Sequence, residues 1–295
     1  MHKSELRKNN GEKISSSQMQ NYINKIRFGA AENPHIKVLR KSKDIRNLLS
    51  KTRNLFDQIV RYYSIKNKTI RQICYYESFG YYLDEINYFI NYFIRSRLYD
   101  SLTDIGSETE TVFYPLHFEP EATLYYLSPF YDNQFALIEN VLKCMKESQV
   151  LIIKEHPAQP GFLMQKHFRK LKSRFPNIKF LKADVPSLTV INRANYIFTL
   201  VSTAGFEAMC LEKPVIVFGK VYYNSYPGVN YCKTFDEVYD LLRGHKQFNK
   251  SNELEDFISR MFSILHSGYP WPYPTLYNQD NIRNVRMGIE SKISI

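Results

Sequence analysis

After about residue 105 the sequence alternates short apolar runs with helix-patterned stretches, a rhythm that few folds accommodate. The runs are TVFYPLHF, QVLIIKEHP, IKFLK, YIFTLVS and PVIVFG, and between them lie QFALIENVLKCMKE, FLMQKHFRKLKSRF, VPSLTVINRA and GFEAMCLE. Each run is apolar at successive positions, so both of its faces need cover, and the intervening helices supply it. The pattern predicts an α/β fold: a Rossmann-like, doubly wound parallel sheet flanked by helices. This domain is expected over residues 106–295. NELEDFISRMFSIL and NVRMGIE read as closing helices, and HSGYPWPYPTLYNQD, with three prolines, as an irregular crossing segment.

Residues 1–105 read as a mainly helical section or linker with a disordered start. They carry 19 Lys and Arg against 10 Asp and Glu, while the remaining residues carry 21 against 19, so most of the net charge of +11 sits here. Phe79, Leu83, Ile86, Phe89, Ile90 and Phe93 recur at helical spacing on one face. That face reads either as a packing surface or, within residues 40–100, as a basic, aromatic-rich surface for an anionic membrane or an acidic polymer. No nucleic-acid motif accompanies the charge, so nucleic acid is not an expected partner. No apolar run reaches the ~18 residues a membrane span needs, and the first residues lack a signal-peptide core, which predicts a cytoplasmic protein. Cys74, Cys144, Cys210 and Cys232 are widely spaced in apolar surroundings without a CxxC pair, and read as reduced structural thiols.

In an open parallel sheet, ligands bind beyond the carboxyl ends of the strands, and three such ends are chemically unusual. In LIIKEHPAQPG, strand alternation puts Lys154 and His156 on the same side, suiting a phosphate or carboxylate; an ion pair at Lys154 with a packed or capping His156 is the competing reading. In TLVSTAGFEA, Ser202 or Thr203 caps a helix whose N–H groups and dipole suit a phosphate, and Gly205 admits a close neighbour. Glu207 there reads as a dipole-favourable carboxylate or as an acceptor for ribose hydroxyls. In FYPLHFEPEA, His117, Glu119 and Glu121 follow a strand. Glu119 reads as a loop charge, and Glu121 either as a loop charge or as a general base.

YPLHFEPEA, YDNQ, IKEHP, STAGFEAMCLEKPVIVFG and YYN occur in an order and spacing that resembles the capsule polysaccharide biosynthesis family, related to bacterial capsule Kdo transferases. GFEAMCLEKPVI is also similar to an element of the nucleotide-binding half of GT-B glycosyltransferases. The resemblance covers roughly residues 111–232. It implies a C-terminal GT-B domain that binds a nucleotide-sugar, CMP-Kdo or another, and passes the sugar to a polysaccharide or glycolipid acceptor, peripherally at the inner membrane. By the same resemblance His156 contacts the donor phosphate or stabilises the leaving nucleotide, with Lys154 beside it. Ser202 and Thr203 bind that phosphate, Glu207 holds the ribose, and Glu121 and Gln134 lie near the cleft. No metal or other cofactor is expected, because helix dipoles and basic side chains neutralise the departing phosphate in such enzymes.

Two departures stand out. Glu212 occupies a position where many GT-B elements have Gly, so the turn before Pro214 is expected to be built differently. Residues 1–105 contain no strand series, so the acceptor domain of a GT-B enzyme is missing or reduced. The alternative is therefore a non-catalytic remnant that binds a nucleotide or a glycan and partners another transferase.

Overall fold

The computed structural model of the protein describes residues 16–28, 56–57, 60, 63–64, 80–119, 121–131, 133–263 and 278–293. The disordered start, Phe79, the side chains of Leu83 and Phe89, Cys74, most of residues 40–79 and most of the proline-rich crossing segment lie outside them. In chain order the elements begin with helices α1 (Ser16–Arg27) and α2 (Gly80–Ile94). Then come β1 (Thr111–Pro115), α3 (Ala122–Leu127), α4 (Gln134–Cys144) and β2 (Val150–Lys154). A 3-10 turn at Phe162–Met164 precedes α5 (Lys166–Arg174), β3 (Ile178–Leu181), α6 (Ser187–Arg193) and β4 (Tyr196–Thr199). The series continues with α7 (Thr203–Cys210), β5 (Val215–Val217), β6 (Val229–Tyr231) and α8 (Phe235–Arg243), and closes with α9 (Leu254–Ser263) and α10 (Gln279–Ile293).

Contacts divide the chain into two units, residues 1–34 with 251–295, and residues 35–250. In the first, α1 buries Met19, Ile23 and Ile26, spaced three and four apart, and α9 buries Leu254, Phe257 and Ile258. The rings of Tyr22 and Phe262 meet edge to face with centroids 5.0 Å apart. The two ends of the chain therefore build one helical unit from matching amphipathic faces.

The second unit holds a six-stranded parallel sheet in the order β3-β2-β1-β4-β5-β6. This is the doubly wound arrangement that the alternating runs predict. Val112, Tyr114, Leu151, Ile153, Phe180, Phe198 and Ile216 share one core with Leu137, Ile138 and Val141 of α4, Phe168 of α5 and Val238 and Leu241 of α8. The intervening strand positions, Phe113, Ile152, Ile197 and Val215, are fully buried on the opposite side, where α6 and α7 pack. Truncating one such ring to Ala, as at Phe113, removes about 3–5 kcal/mol. Free Cys144, Cys210 and Cys232 are buried. Burial pushes the Cys144 thiol up to about 11 and the Cys232 thiol up to about 12, which keeps both protonated near neutral pH.

One expectation changes. The turn after α7 is not built differently: Glu212 adopts φ 56°, the left-handed conformation that Gly serves elsewhere. Lys213 N–H donates to the Ala208 carbonyl and Glu212 N–H to the Met209 carbonyl, 3.0 Å each, completing a Schellman closure with a strained non-glycine residue at its corner. Among the described side chains of α2, part of the apolar row faces outward. Ile90 and Phe93 are about half exposed, while Asn91 is buried and Tyr88 and Tyr92 turn inward onto Phe162 and Tyr99. Gly161, at φ 90°, permits the close approach of α2: a Cβ there would stand 1.9 Å from the Tyr88 carbonyl oxygen, so only glycine lets the helix backbone come this near. Among the described residues no helix is long and apolar enough to cross a membrane.

Candidate functional site

The strand order reverses between β1 and β4, whose following helices leave to opposite faces, so a crevice opens beyond their carboxyl ends. β4 pairs with β1 only at Val112 and Phe113, and Pro115 has no N–H to add a rung. His117 sits in the gap. It is buried; its Nε2 accepts the Val201 N–H at 3.2 Å, and its Nδ1 lies 3.3 Å from Gln134 Oε1. Those partners assign the proton to Nδ1. Burial lowers the imidazole to about 4, with His156 pushing the same way and the Gln134 contact opposing, so His117 is neutral across the physiological range. A neutral imidazole thus holds the backbone that leads into α7.

Gln134 anchors this arrangement from behind. Asn133 caps α4 by accepting the Ala136 N–H, which places Gln134, fully buried, at the first helical position. Its Oε1 accepts from the Tyr114 hydroxyl at 2.9 Å and the His117 N–H at 2.8 Å. Its Nε2 donates to the His117 carbonyl at 3.2 Å and to Glu119 Oε1 at 2.6 Å. Both polar atoms of the amide are therefore engaged within the chain. Gln159 ties the β2 loop to the same segment, accepting the Glu119 N–H and donating to the Glu119 carbonyl.

At the end of β2, Lys154 is almost fully buried and donates from Nζ to the Glu155 carbonyl at 3.1 Å. Glu155 turns to the other side, as strand alternation requires, where Oε1 accepts from the Tyr99 hydroxyl and the N–H groups of Gly161 and Leu163. His156 Nδ1 accepts the Ala158 N–H at 3.2 Å, which assigns its proton to Nε2. Burial, reinforced by the Lys154 ammonium, lowers His156 to about 4. His156 is thus a neutral N–H donor beside a buried cation.

At the end of β4, Ser202 is the cap of α7: its Oγ accepts the Ala204 N–H at 3.1 Å. Thr203 follows it, exposed to solvent. The space beside Gly205 is taken by the Tyr223 hydroxyl, which donates to the Ser202 carbonyl at 2.6 Å; a Cβ on Gly205 would stand 2.3 Å from that oxygen. Glu207 lies one turn further on. Burial pushes its carboxyl up to about 7, with the Lys154 ammonium pulling it back down.

The structure therefore brings Lys154, His156, Ser202 and Glu207 to one region and adds His117. Sequence reading placed His117 only at a strand end, because it becomes central through the β1–β4 adjacency, a non-local pairing. Glu121 stands apart. It precedes α3 without capping it through its side chain, and it lines a cavity of about 320 Å³ with Glu119, Tyr88, Tyr125, Gln165 and His167. Lys154, His156, Ser202, Glu207 and His117 do not line that cavity. Among the described residues no three His, Cys, Asp or Glu side chains are grouped to hold a metal ion.

The chain is thus an open, doubly wound α/β protein that gathers a cation, a neutral imidazole donor and a capped helix N-terminus at its strand ends. The sequence profile of the capsule polysaccharide biosynthesis protein family matches residues 44–253, and the chain belongs to that family. Among solved structures it is similar to Thermosulfurimonas dismutans KpsC, beta Kdo 2,7 transferase, with 16% identity and a TM-score of 0.39 over 60% of this chain and 52% of that one. A second, Thermosulfurimonas dismutans KpsC, beta Kdo 2,4 transferase, has 16% identity and a TM-score of 0.35 over 55% of this chain and 46% of that one. The chain thus spans about half the length of these structures. A comparison with curated proteins found no match.

Proposed function

We propose that this protein is a glycosyltransferase of capsule or surface polysaccharide biosynthesis, or its donor-binding portion, moving a sugar from a nucleotide-sugar to a glycan acceptor. The observation that carries the reading is the convergence of Lys154, His156, the Ser202-capped start of α7 and Glu207 at the β1–β4 switch point. In this reading the α7 N-terminus, with Ser202 and Thr203, receives the donor phosphate, Lys154 supplies its counter-charge, and His156 donates Nε2–H to a phosphate oxygen. Glu207 holds the ribose. Gly205 and Gln134 serve the donor site by position: the first lets Tyr223 brace the Ser202 carbonyl, and the second holds His117 and Glu119 in place.

In the transfer step, the acceptor oxygen bonds to the anomeric carbon as the bond from that carbon to the phosphate oxygen breaks. The electron pair leaves with the nucleotide, and the acceptor proton passes to a carboxylate, for which Glu121 is the candidate. The strand-end groups stabilise the charge that grows on the phosphate, with no metal or other cofactor assigned to this reading. The exposed row of Ile90, Phe93 and Ile94, beside Arg95 and Arg97, supports peripheral contact with the inner face of a membrane. A second reading, a nucleotide- or glycan-binding partner without turnover, is favoured by the separation of Glu121 from the strand-end groups.

Calorimetry with CMP, UDP and GDP on the protein and on its His156→Ala and Glu207→Ala variants tests the donor site. One nucleotide should bind, and both substitutions should weaken it. Absence of binding by folded protein would overturn the donor reading. With the nucleotide identified, hydrolysis or transfer of its sugar conjugate separates the enzyme from the silent partner.

A further inference from the structure

We propose that the groove between α2 and residues 161–169 is the acceptor cleft, with two chemically different subsites: one for an uncharged, hydroxyl-rich sugar and one for the anionic group of its neighbour. The proposal rests on the transferase reading above and extends it to the substrate that reading leaves open. The cavity holding Glu119 and Glu121 adjoins a second of about 320 Å³, lined by Asn87, Asn91, Arg95, Lys166 and Arg169. Gln165 and His167 belong to both. Each cavity falls in the usual range of roughly 300–1,000 Å³ for small-molecule sites, and we take the two, joined at Gln165 and His167, as one trough.

Three features point to a glycan. The first is the orientation of α2. Among its described side chains, α2 turns Asn87, Tyr88, Asn91 and Arg95 to the groove and leaves Ile90 and Phe93 outside, so the wall it offers is largely polar. The buried Asn91 is held by Asn87 Oδ1 at 3.3 Å, so the polar wall is itself ordered.

The second feature is the separation of charge along the trough. At one end Glu121 makes no hydrogen bond or ion pair through its side chain among the described residues, and Glu119, Tyr88 and Tyr125 line the same cavity. Carboxylates accept from sugar hydroxyls, and tyrosine faces pack against the C–H faces of a sugar ring. An anionic sugar would be repelled there. At the other end Arg95, Lys166 and Arg169 carry no carboxylate partner among the described residues, and Arg169 is oriented by its Nε–H to the Met164 carbonyl at 3.0 Å. Cations held without a carboxylate around a cavity suit a carboxylate or phosphate on the ligand.

The third is continuity with the switch point. Glu119 Oε1 accepts from Gln134, Gln134 is bonded to His117, and His117 accepts the Val201 N–H that leads into α7. The carboxylate end of the trough is thus one buried amide away from the proposed donor end. That is where an acceptor hydroxyl must arrive, and it accounts for Glu121 lying outside the strand-end cluster.

A glycan uronate and a glycosyl phosphate offer the same anion beside hydroxyls, so both are probed. Saturation-transfer NMR and calorimetry on the full chain would use hyaluronan tetrasaccharide, which alternates uronate and neutral residues, uncharged chitotetraose and glucose 1-phosphate. The tetrasaccharide or the sugar phosphate should bind in preference to chitotetraose, and which one does so identifies the source of the anion. Arg95→Ala and the exposed Lys166→Ala should each weaken that ligand about tenfold and erase its advantage over chitotetraose. Tyr125→Ala should weaken the tetrasaccharide and chitotetraose alike. Nucleotide binding should be unchanged in Lys166→Ala and Tyr125→Ala, whose melting curves verify folding. Failure of all three probes to bind, or binding indifferent to Arg95 and Lys166, overturns the cleft. Glycan binding in a protein that binds no nucleotide would instead leave the cleft standing and sink the transferase reading.

Discussion

The two helices that follow the central strands, α3 after β1 and α7 after β4, begin near the same crevice and are built in opposite ways. α7 buries six of its eight residues, is capped by Ser202 and closes in a full Schellman turn. α3 buries only Leu124, has no side-chain cap, and leaves Tyr125 53% and Tyr126 82% exposed. The buried helix can hold its amide groups in fixed positions, which is what stabilising charge on a phosphate requires. The exposed one offers aromatic surface and tolerates change. In the proposed reading, the difference separates a rigid donor end from an adaptable acceptor end.

The contrast breaks most visibly through pH. Glu207 on α7, raised to about 7, contributes stability that is complete below its unfolded value near 4.5 and is lost as pH rises through 7. His117 and His156, lowered to about 4, contribute stability present above their unfolded value near 6.5 and lost as pH falls through 4. Between pH 6.5 and 4.5 the two imidazoles and the carboxyl therefore pull in opposite directions. Glu207→Gln removes the opposing one, so stability should fall about twice as steeply on acidification, an added slope of up to about 1.4 kcal/mol per pH unit. Urea midpoints across that range check it, and an unchanged slope would contradict the burial of the carboxyl.

Gly205→Ala comes next. Its Cβ drives against the Tyr223 hydroxyl and Thr199, and about 1–3 kcal/mol should be lost in thermal or urea unfolding. Adding Tyr223→Phe, which removes the clashing oxygen, should recover part of the loss. Ser202→Ala removes the cap and should cost about 1 kcal/mol, with nucleotide affinity falling further than stability if the α7 start binds phosphate. Glu212→Gly relieves a left-handed corner and should stabilise by about 0.5–1 kcal/mol, read as a rise in Tm. On the other helix, Tyr126→Ser should change stability by less than about 0.5 kcal/mol, because the ring is exposed. A larger loss there would end the distinction between the two helices.

Much of this was readable from residue order. The apolar runs announced the buried parallel strands, and the alternation of Lys154, Glu155 and His156 announced which side chains share a face. A cap at Ser202 or Thr203 was visible because capping is local, and the structure assigns it to Ser202. Glu212 misled, since the missing glycine suggested a new turn, whereas the backbone kept the left-handed corner and accepted its strain. The apolar row of α2 was legible, but its close backbone approach to the loop after β2 was not: it depends on Gly161, some seventy residues away in sequence, where the absent Cβ admits the helix.

By itself, then, the sequence determined the elements whose causes lie within a few residues: strands from two-faced apolarity, helices from periodicity and caps, and the chemistry carried at each strand end. Only the tertiary structure decided which of those ends meet. Parallel strands have no local signal for their neighbours, because pairing is made by crossovers and by the helices each face can bury. His117 gains its place only because β1 lies beside β4, Gln134 because α4 packs beneath that junction, and the trough beside α2 because one glycine lets two distant backbones touch.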